Sequence, residues 1–170
     1  MVLRDARRDD VAAMSRLASG AFVDAYGDSS PEDDLRTHVE TYFGESAIAS
    51  ELDSAGVRYL LASAPEGLAG LVKLRNSKVP ELVPATAAVE VQQLYVGTDF
   101  QRRGVGHTLM GGAVQAARDL AVAGIWLSVW KEADWATSFY RKFGFRSLGE
   151  IDFWLADTHY VDYLMWYEFD

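Results

Sequence analysis

The chain has 170 residues, of which 49% are apolar and 24% charged, a composition typical of a soluble globular protein with one domain spanning residues 1–170. Its net charge of −9 disfavours binding to nucleic acid or to anionic membranes. The absence of cysteine excludes disulfides, a thiol nucleophile and cysteine-ligated metals. The charged start "MVLRDARRDD" does not resemble a signal peptide and no later run reaches membrane-spanning length, so we expect a cytoplasmic protein.

The first part of the chain predicts one strand followed by a helical region. "MVLRDA" alternates like a short strand, and the apolar residues from Val11 to Phe22 recur at helical spacing after acidic residues that can cap a helix. Ser30 and Pro31, with Asp33 behind them, form a second helix-start signal. "ESAIASELD" extends this helical region.

From Val57 onward the pattern changes to strands. "VRYLLAS", "LAGLVKLRN" and "AVEVQQLYV" predict three strands that form a meander. A helix is then predicted up to Gly124, followed by the strand "GIWLSVW", the short helix "DWATSFYRKF" and a terminal strand pair in "FRSLGEIDFWLA" and "YVDYLMWYEF". The order β-αα-βββ-α-β-α-ββ predicts an α/β fold with a mixed central sheet flanked by helices on both faces.

The loop "DFQRRGVG" lies between a predicted strand and a predicted helix. Free N–H groups and the positive end of a helix would face an anion there, and Gly104 and Gly106 would let that anion approach the backbone closely. The dinucleotide fingerprint does not match, because Leu109 replaces its third glycine, and the mononucleotide loop does not match either, because His107 and Thr108 replace its lysine and hydroxyl residue. A tight turn with solvated arginines fits the same residues.

The segment "VEVQQLYVGTDFQRRGVGHTLM" resembles the strand-loop-helix signature of the GNAT superfamily of acetyl-CoA-dependent N-acetyltransferases. The loop pattern of that family is Gln or Arg, two residues, Gly, one residue, and Gly or Ala, which here corresponds to Gln101, Gly104 and Gly106. "GIWLSVWKEADWATSFYRKFGF" looks like the next strand and the helix with the ending FY..(F/M)GF. The predicted element order is also that of the family. Moreover, "AFVDAYGDSSPEDDLRTHVETYF" with "IWLSVW" looks like the bacterial spermidine/spermine N-acetyltransferases.

The resemblance implies a binding site for acetyl-CoA, while the dispersed histidines and the absence of cysteine predict that no metal is bound. Leu94, Tyr95 and Val96 would offer backbone groups to the pantetheine arm, which would lie between two parallel strands separated by a bulge at the end of "QQLYV". The pyrophosphate would be wrapped by the loop residues Gln101, Arg102, Arg103, Gly104, Val105, Gly106, His107 and Thr108. Trp135 stands where relatives often have an asparagine and would pack on the cofactor.

The resemblance also implies an acid, Tyr140, placed near the sulfur to protonate the leaving thiolate, although an aromatic residue on this helix can equally belong to the core. An amine with a pKa of about 10 must lose a proton before attack. Alternation along the strand predicts that Glu90 shares a face with Leu94 and Val96, from where it could act through water. The alternative for Glu90 is a carboxylate paired with a basic neighbour. Gln92 replaces a glutamate of many relatives, and an amide cannot accept the proton.

We therefore expect direct transfer of acetyl from acetyl-CoA to a small amine, without an acyl-enzyme. The run "PEDDL" can be a solvated helix start or an acidic rim that attracts a polyamine such as spermidine or spermine. The competing hypotheses are acetylation of a protein lysine or N-terminus, and a non-catalytic acyl-CoA-binding regulator. His38, His107 and His159 show no metal-ligand spacing, and the resemblance allows a homodimer.

Overall fold

The computed structural model describes all 170 residues and contains one seven-stranded mixed sheet with helices on both faces. The strands are β1 (Val2–Asp5), β2 (Val57–Ala64), β3 (Gly67–Arg75), β4 (Val89–Val96), β5 (Gly124–Trp130), β6 (Arg146–Leu155) and β7 (Thr158–Glu168). The helices are α1 (Val11–Tyr26), α2 (Glu32–Phe43), α3 (Glu45–Leu52), α4 (Val105–Arg118) and α5 (Asp134–Phe143), with short 3-10 turns at Arg8–Asp10 and Thr98–Phe100. None of these helices combines the length and the apolar character needed to cross a membrane.

The predicted α/β fold and its element order are confirmed, with one difference in the helical region. That region divides at Gly44, whose extended backbone angles (φ −59°, ψ 147°) end α2 and begin α3. The hydroxyl of Ser30 does not cap α2 but forms a hydrogen bond with the Tyr160 hydroxyl. This contact ties the start of α2 to the last strand of the sheet.

The strands follow the order β1-β2-β3-β4-β5-β7-β6 across the sheet. Only β4 and β5 are parallel, and every other neighbouring pair is antiparallel. On one face, which we call the α4 face, side chains such as Val72 and Ile125 pack against Leu109 of α4. On the other, which we call the α1 face, Leu61 and Leu71 pack against α1, α2 and α3. Two cores therefore enclose the central strands, which is why these strands read as nearly continuous apolar runs.

A charged network also lies on the α1 face, between β3 and α3. Lys73 is only 2% exposed, and its Nζ donates a hydrogen bond to Oε1 of Glu51, whose Oε2 accepts one from the Tyr59 hydroxyl at 2.5 Å. Burial lowers the pKa of Lys73, and Glu51 opposes that shift. Every member of this network has a partner, so it holds α3 against the sheet without leaving a buried charge unpaired.

Gly124, the first residue of β5, has no room for a side chain. A Cβ there would lie 2.3 Å from the carbonyl oxygen of Tyr167 and 2.6 Å from the Trp166 ring. We expect Gly124→Ala to lower the free energy of unfolding by about 1–3 kcal/mol, measured by urea denaturation.

Gly111, in the middle of α4, is the matched control, because a Cβ there meets nothing within 4 Å. Gly111→Ala should raise the free energy of unfolding by roughly 0.5–1 kcal/mol, since alanine restricts the unfolded chain and favours the helix. Equal stabilities of the two variants would contradict the packing described for the start of β5.

Candidate active site

β4 and β5 lie side by side only at their first residues. Register pairs join Val89 to Ile125 and Glu90 to Trp126, and no pair follows. Since β4 continues to Val96 and β5 to Trp130, the two strands separate and leave a gap between their carboxyl-terminal halves. A strand that loses its neighbour presents a row of unpaired backbone groups.

The backbone of β4 shows which of its groups face this gap. Tyr95 pairs with Leu71 of β3, and a Cβ added to Gly70 would lie 2.7 Å from the Tyr95 carbonyl oxygen, so that carbonyl points toward β3. Because backbone groups of successive residues point to opposite sides of a strand, those of Leu94 and Val96 point toward the gap. An extended ligand in the gap can form hydrogen bonds with Leu94 and Val96 as an added strand does.

A bulge interrupts β4 at Gln92. Gln93 pairs with Lys73 of β3 and Val91 pairs with Leu74, so Gln92 is an extra residue without an opposite partner. The bulge therefore lies at the start of "QQLYV" rather than at its end. Bulges bend a strand and increase its local twist, and this one lies where β4 begins to leave β5.

The bulge also changes which side chains of β4 share a face. Val91, Leu94 and Val96 all pack on the α4 face, whereas Tyr95 packs on the α1 face. Glu90 precedes the bulge. Because its side chain and that of the next residue, Val91, point to opposite faces, Glu90 lies on the α1 face. The predicted common face for Glu90, Leu94 and Val96 is therefore wrong, because an inserted residue shifts the alternation of a strand by one.

Glu90 lies among polar partners at the point where the strands separate. It accepts a hydrogen bond from the Ser77 hydroxyl, and Arg75 is its register partner on β3. Burial raises the pKa of the Glu90 carboxyl, while Ser77, Arg75 and Lys73 oppose the shift. A raised pKa favours proton uptake, yet the same contacts are those of a structural carboxylate, so both interpretations of Glu90 stay open.

The loop before α4 presents backbone N–H groups without partners. Gly104 (φ 81°) and Arg102 (φ 58°) both have left-handed backbone, and the N–H groups from Arg102 to His107 form no backbone hydrogen bond. Thr108 is the first residue of the helix whose N–H is bonded, to the Gly104 carbonyl at 3.0 Å. Successive unpaired N–H groups at the positive end of a helix form a site for an anion such as a pyrophosphate. The side chains of Gln101, Arg102, Arg103, His107 and Thr108 surround it and are exposed.

The first turn of α4 packs closely against α5. A Cβ on Gly106 would lie 3.5 Å from the Phe139 ring and 3.8 Å from Val96, which are ordinary contact distances, and Val105 is buried beside it. Trp135, at the start of α5, is 73% exposed. Its ring is therefore accessible to a ligand, and the structure shows no packing role for it.

Helix α5 carries Tyr140 to the α4 face beside the gap. The Tyr140 ring packs on Phe139 and Phe145, with centroid distances of 5.2 and 5.7 Å. Its hydroxyl forms no hydrogen bond with the protein and is not among the enclosed polar atoms that lack a partner. Burial raises the pKa of this phenol, which keeps it protonated at neutral pH. Tyr140 thus has the protonation state that a general acid needs.

Asp162 in the middle of β7 was missed by the sequence analysis. It is the one carboxylate among the buried residues, at 4% exposure, and burial raises its pKa to about 6 while the Ser128 hydroxyl opposes the shift. The sequence contains a signal for it, since an aspartate interrupts the aromatic and aliphatic run "HYVDYLMWY" at an inward-facing position. This signal can be interpreted only when it is known which side chains of β7 face inward.

These features are those of a known family. A model of the acetyltransferase (GNAT) family matches residues 13–145. The chain belongs to this family. The GNAT resemblance is confirmed, and the protein is an acetyl-CoA-dependent N-acetyltransferase.

Individual relatives are distant in sequence and close in fold. The chain is 26% identical over 157 residues to a Lactobacillus delbrueckii subsp. lactis protein named "uncharacterized N-acetyltransferase in pepI 3'region", covering 92% of this chain and 90% of that protein. PaiA N-acetyltransferase from Thermoplasma acidophilum, solved in complex with coenzyme A, has a TM-score of 0.79 at 18% identity over 99% of this chain and 98% of that one. Ribosomal-protein-alanine N-acetyltransferase from Brucella melitensis has a TM-score of 0.70 at 14% identity over 99% and 100% of the two chains.

The anion site before α4 predicts a specific loss of acetyl-CoA binding in Gly106→Asp. The added Cβ is tolerated by its neighbours, and an acidic residue in the first turn favours the helix, so the variant should fold. Its carboxylate would repel a pyrophosphate at the unpaired N–H groups. We expect acetyl-CoA affinity, measured by titration calorimetry, to fall by roughly a hundredfold or more, equivalent to about 3 kcal/mol.

Gly111→Asp is the control, because it adds the same charge to the same helix at an exposed position with nothing within 4 Å. Its acetyl-CoA affinity should match that of the unmodified protein. Unchanged affinity in a folded Gly106→Asp variant would exclude this loop as the phosphate site.

Proposed function

We propose that the protein transfers acetyl from acetyl-CoA directly to a small primary amine, and that a polyamine such as spermidine is its preferred acceptor. The observation that carries this proposal is that the gap connects the two faces of the sheet. β4 and β5 separate after two register pairs, the Tyr140 side chain packs on the α4 face, and the Tyr95 side chain of β4 packs on the α1 face. A thioester held from one side can therefore meet an amine that enters from the other.

In this proposal, the α4 side of the gap holds the cofactor. The unpaired N–H groups of residues 102–107 bind the pyrophosphate, and the free backbone groups of Leu94 and Val96 bind the pantetheine arm. Trp135 packs on the cofactor from the start of α5. Holding both reactants in one cleft accounts for a large part of such rate enhancements.

The reaction needs no covalent intermediate on the protein. The amine nitrogen forms a bond with the thioester carbonyl carbon, and the backbone N–H near Val96 stabilises the resulting oxyanion. Glu90, acting through water, accepts the proton that the ammonium group releases. As the carbon–sulfur bond breaks, the sulfur takes the bonding electron pair and Tyr140 donates a proton to it. The second proton of the acceptor nitrogen leaves through water and restores the Tyr140 phenol.

Charge supports a cationic acceptor. The first turn of α2 contains Glu32, Asp33 and Asp34, and it borders the turn between β6 and β7, where the Thr158 hydroxyl donates to Asp34 at 2.6 Å. Asp33 forms an ion pair with Arg36, so Glu32 is the residue of this turn without a partner. With a net charge of −9, this rim favours the approach of polycations.

Tyr140→Phe tests the acid. Because the phenol acts on the leaving thiolate, we expect the turnover number to fall by roughly ten to a thousandfold while acetyl-CoA affinity changes little. Tyr167→Phe is the matched control, since Tyr167 packs in the same core without a hydrogen bond from its hydroxyl. Full activity of the Tyr140 variant would assign that residue to the core alone.

The acidic rim is tested with the double variant Glu32→Gln and Asp33→Asn. It should raise KM for spermidine about two- to tenfold at low salt and leave KM for acetyl-CoA unchanged, because steering by exposed charges acts over roughly a Debye length. The effect should shrink as ionic strength rises. Glu66→Gln with Glu81→Gln makes the same charge change at exposed positions on other loops.

A thiol-release assay decides between the candidate acceptors. We expect higher kcat/KM for spermidine than for a neutral aromatic amine, for lysine peptides or for peptides with a free N-terminus. A salt-independent preference, or a better rate with peptides, would reject the polyamine assignment. Absence of transfer to any amine would indicate a regulator that only binds acyl-CoA.

A further inference from the structure

Asp162 has no partner for its charge within the protein. It forms no ion pair, and its Oδ1 is fully enclosed without a hydrogen bond. Its other oxygen is not enclosed, and the only side chain that stabilises the charged carboxylate is the neutral Ser128 hydroxyl, so Asp162 has no cationic partner in the protein. Polar groups buried without a partner destabilise a fold and are rare in native structures.

Aromatic rings surround this carboxylate. Trp130 is its register partner on β5, Tyr160 lies two residues before it on the same face of β7, and Tyr26 reaches it from α1. The ring centroids of Tyr26 and Trp130 are 5.5 Å apart, those of Tyr26 and Tyr160 are 5.7 Å apart, and those of Trp130 and Tyr160 are 5.5 Å apart. We call these three rings the aromatic wall.

The aromatic wall borders the gap between β4 and β5. Trp130 is the last residue of β5, where the two strands are farthest from their last register pair. Tyr26 stacks on Trp130 with a centroid distance of 5.5 Å, and Asp162 contributes to raising the pKa of its phenol. Asp162 therefore lies on the α1 side of the same opening that Tyr140 borders on the α4 side.

No basic side chain of the protein competes for this carboxylate. The titratable groups that face it from α1 and β7 are the phenols of Tyr26 and Tyr160. On α2, His38 stacks on Phe22 at 4.5 Å. After β5, Lys131 pairs with Glu150 of β6 at 3.6 Å. A cation that neutralises Asp162 must therefore come from a ligand.

We propose that Asp162 and the aromatic wall form the subsite that binds the ammonium group of the acceptor. The carboxylate supplies an ion pair and a charge-assisted hydrogen bond, and the faces of the three rings supply cation–π attraction. This inference rests on the proposed function, since it assumes that the acceptor is an amine. It assigns a recognition role to a residue that has no part in the transfer steps above.

The test measures binding rather than turnover. The dissociation constants of spermidine, phenethylamine and its neutral analogue phenethyl alcohol are determined by titration calorimetry on the complex of the protein with coenzyme A, which cannot transfer acetyl. Asp162→Asn should weaken both amines at least about tenfold near pH 7.5 and leave coenzyme A and the alcohol unaffected. Asp152→Asn, which removes an exposed carboxylate from the neighbouring strand, should change none of these constants.

The pH dependence of amine binding provides a second test. The pKa of Asp162 is raised to about 6, so amine binding to the unmodified protein should weaken between about pH 7.5 and about pH 5, toward the affinity of Asp162→Asn. The variant itself should lack this dependence. Burial lowers the pKa of His38 below its usual value, and His38→Gln should keep the pH dependence of amine binding if Asp162 is its source.

Folding of the variant can be checked independently. Since the folded pKa of Asp162 lies above its unfolded value, its stabilising contribution is present at low pH and is lost as pH rises through about 6. Asp162→Asn should therefore have a higher Tm than the unmodified protein near pH 7.5 and an equal one near pH 4.

The outcomes separate the two proposals. Equal amine affinity in the folded Asp162→Asn variant and the unmodified protein would overturn this inference and leave the proposed function in place. A loss that extends to phenethyl alcohol would also overturn it, because charge recognition would not be the cause. An unmodified protein that binds none of the amines would overturn both.

Discussion

The separation of β4 from β5 after two residue pairs is the constraint on which the rest of the active site depends. A continued parallel ladder would satisfy the backbone groups of Leu94 and Val96 and close the sheet. Their separation instead leaves these groups available and leaves a gap between the two strands. Three further features of the candidate site lie around this gap. They are the bulge at Gln92, the loop before α4 and Tyr140 on α5.

The two faces of the sheet carry different chemical groups beside the gap. Unpaired N–H groups, a helix amino terminus and a protonated phenol lie on the α4 face, where they suit an anionic cofactor and its leaving group. Carboxylates and aromatic rings lie on the α1 face, where they suit a cation. In the proposed function, this difference in charge favours the cofactor on one side of the gap and a cationic acceptor on the other.

The buried charged groups at structural and at candidate functional positions differ in whether the protein gives them a charged partner. Lys73 and Glu51 satisfy one another, and Tyr59 completes their hydrogen bonds, so this group can hold α3 in place. Asp162 is buried to a similar degree and has no such partner. A buried charge without a cationic partner lowers stability, and Asp162 differs in this respect from the Lys73–Glu51 network.

The order of elements and a glycine-containing loop at the start of α4 could be predicted from the sequence, because both depend on residues close together in the chain. The roles of that loop and of Tyr140 stay predictions that the family resemblance implies. Periodicity, glycines at a helix start and a short helix with a glycine at its end are local patterns. The face of Glu90 and the isolation of Asp162 could not be predicted in this way. The first depends on a bulge that only pairing with β3 reveals, and the second depends on which side chains of α1, β5 and β6 surround β7. Local sequence patterns thus determined the family and the order of elements, whereas long-range strand pairing decided where each carboxylate lies, because a one-residue shift in register moves a side chain to the opposite face of the sheet.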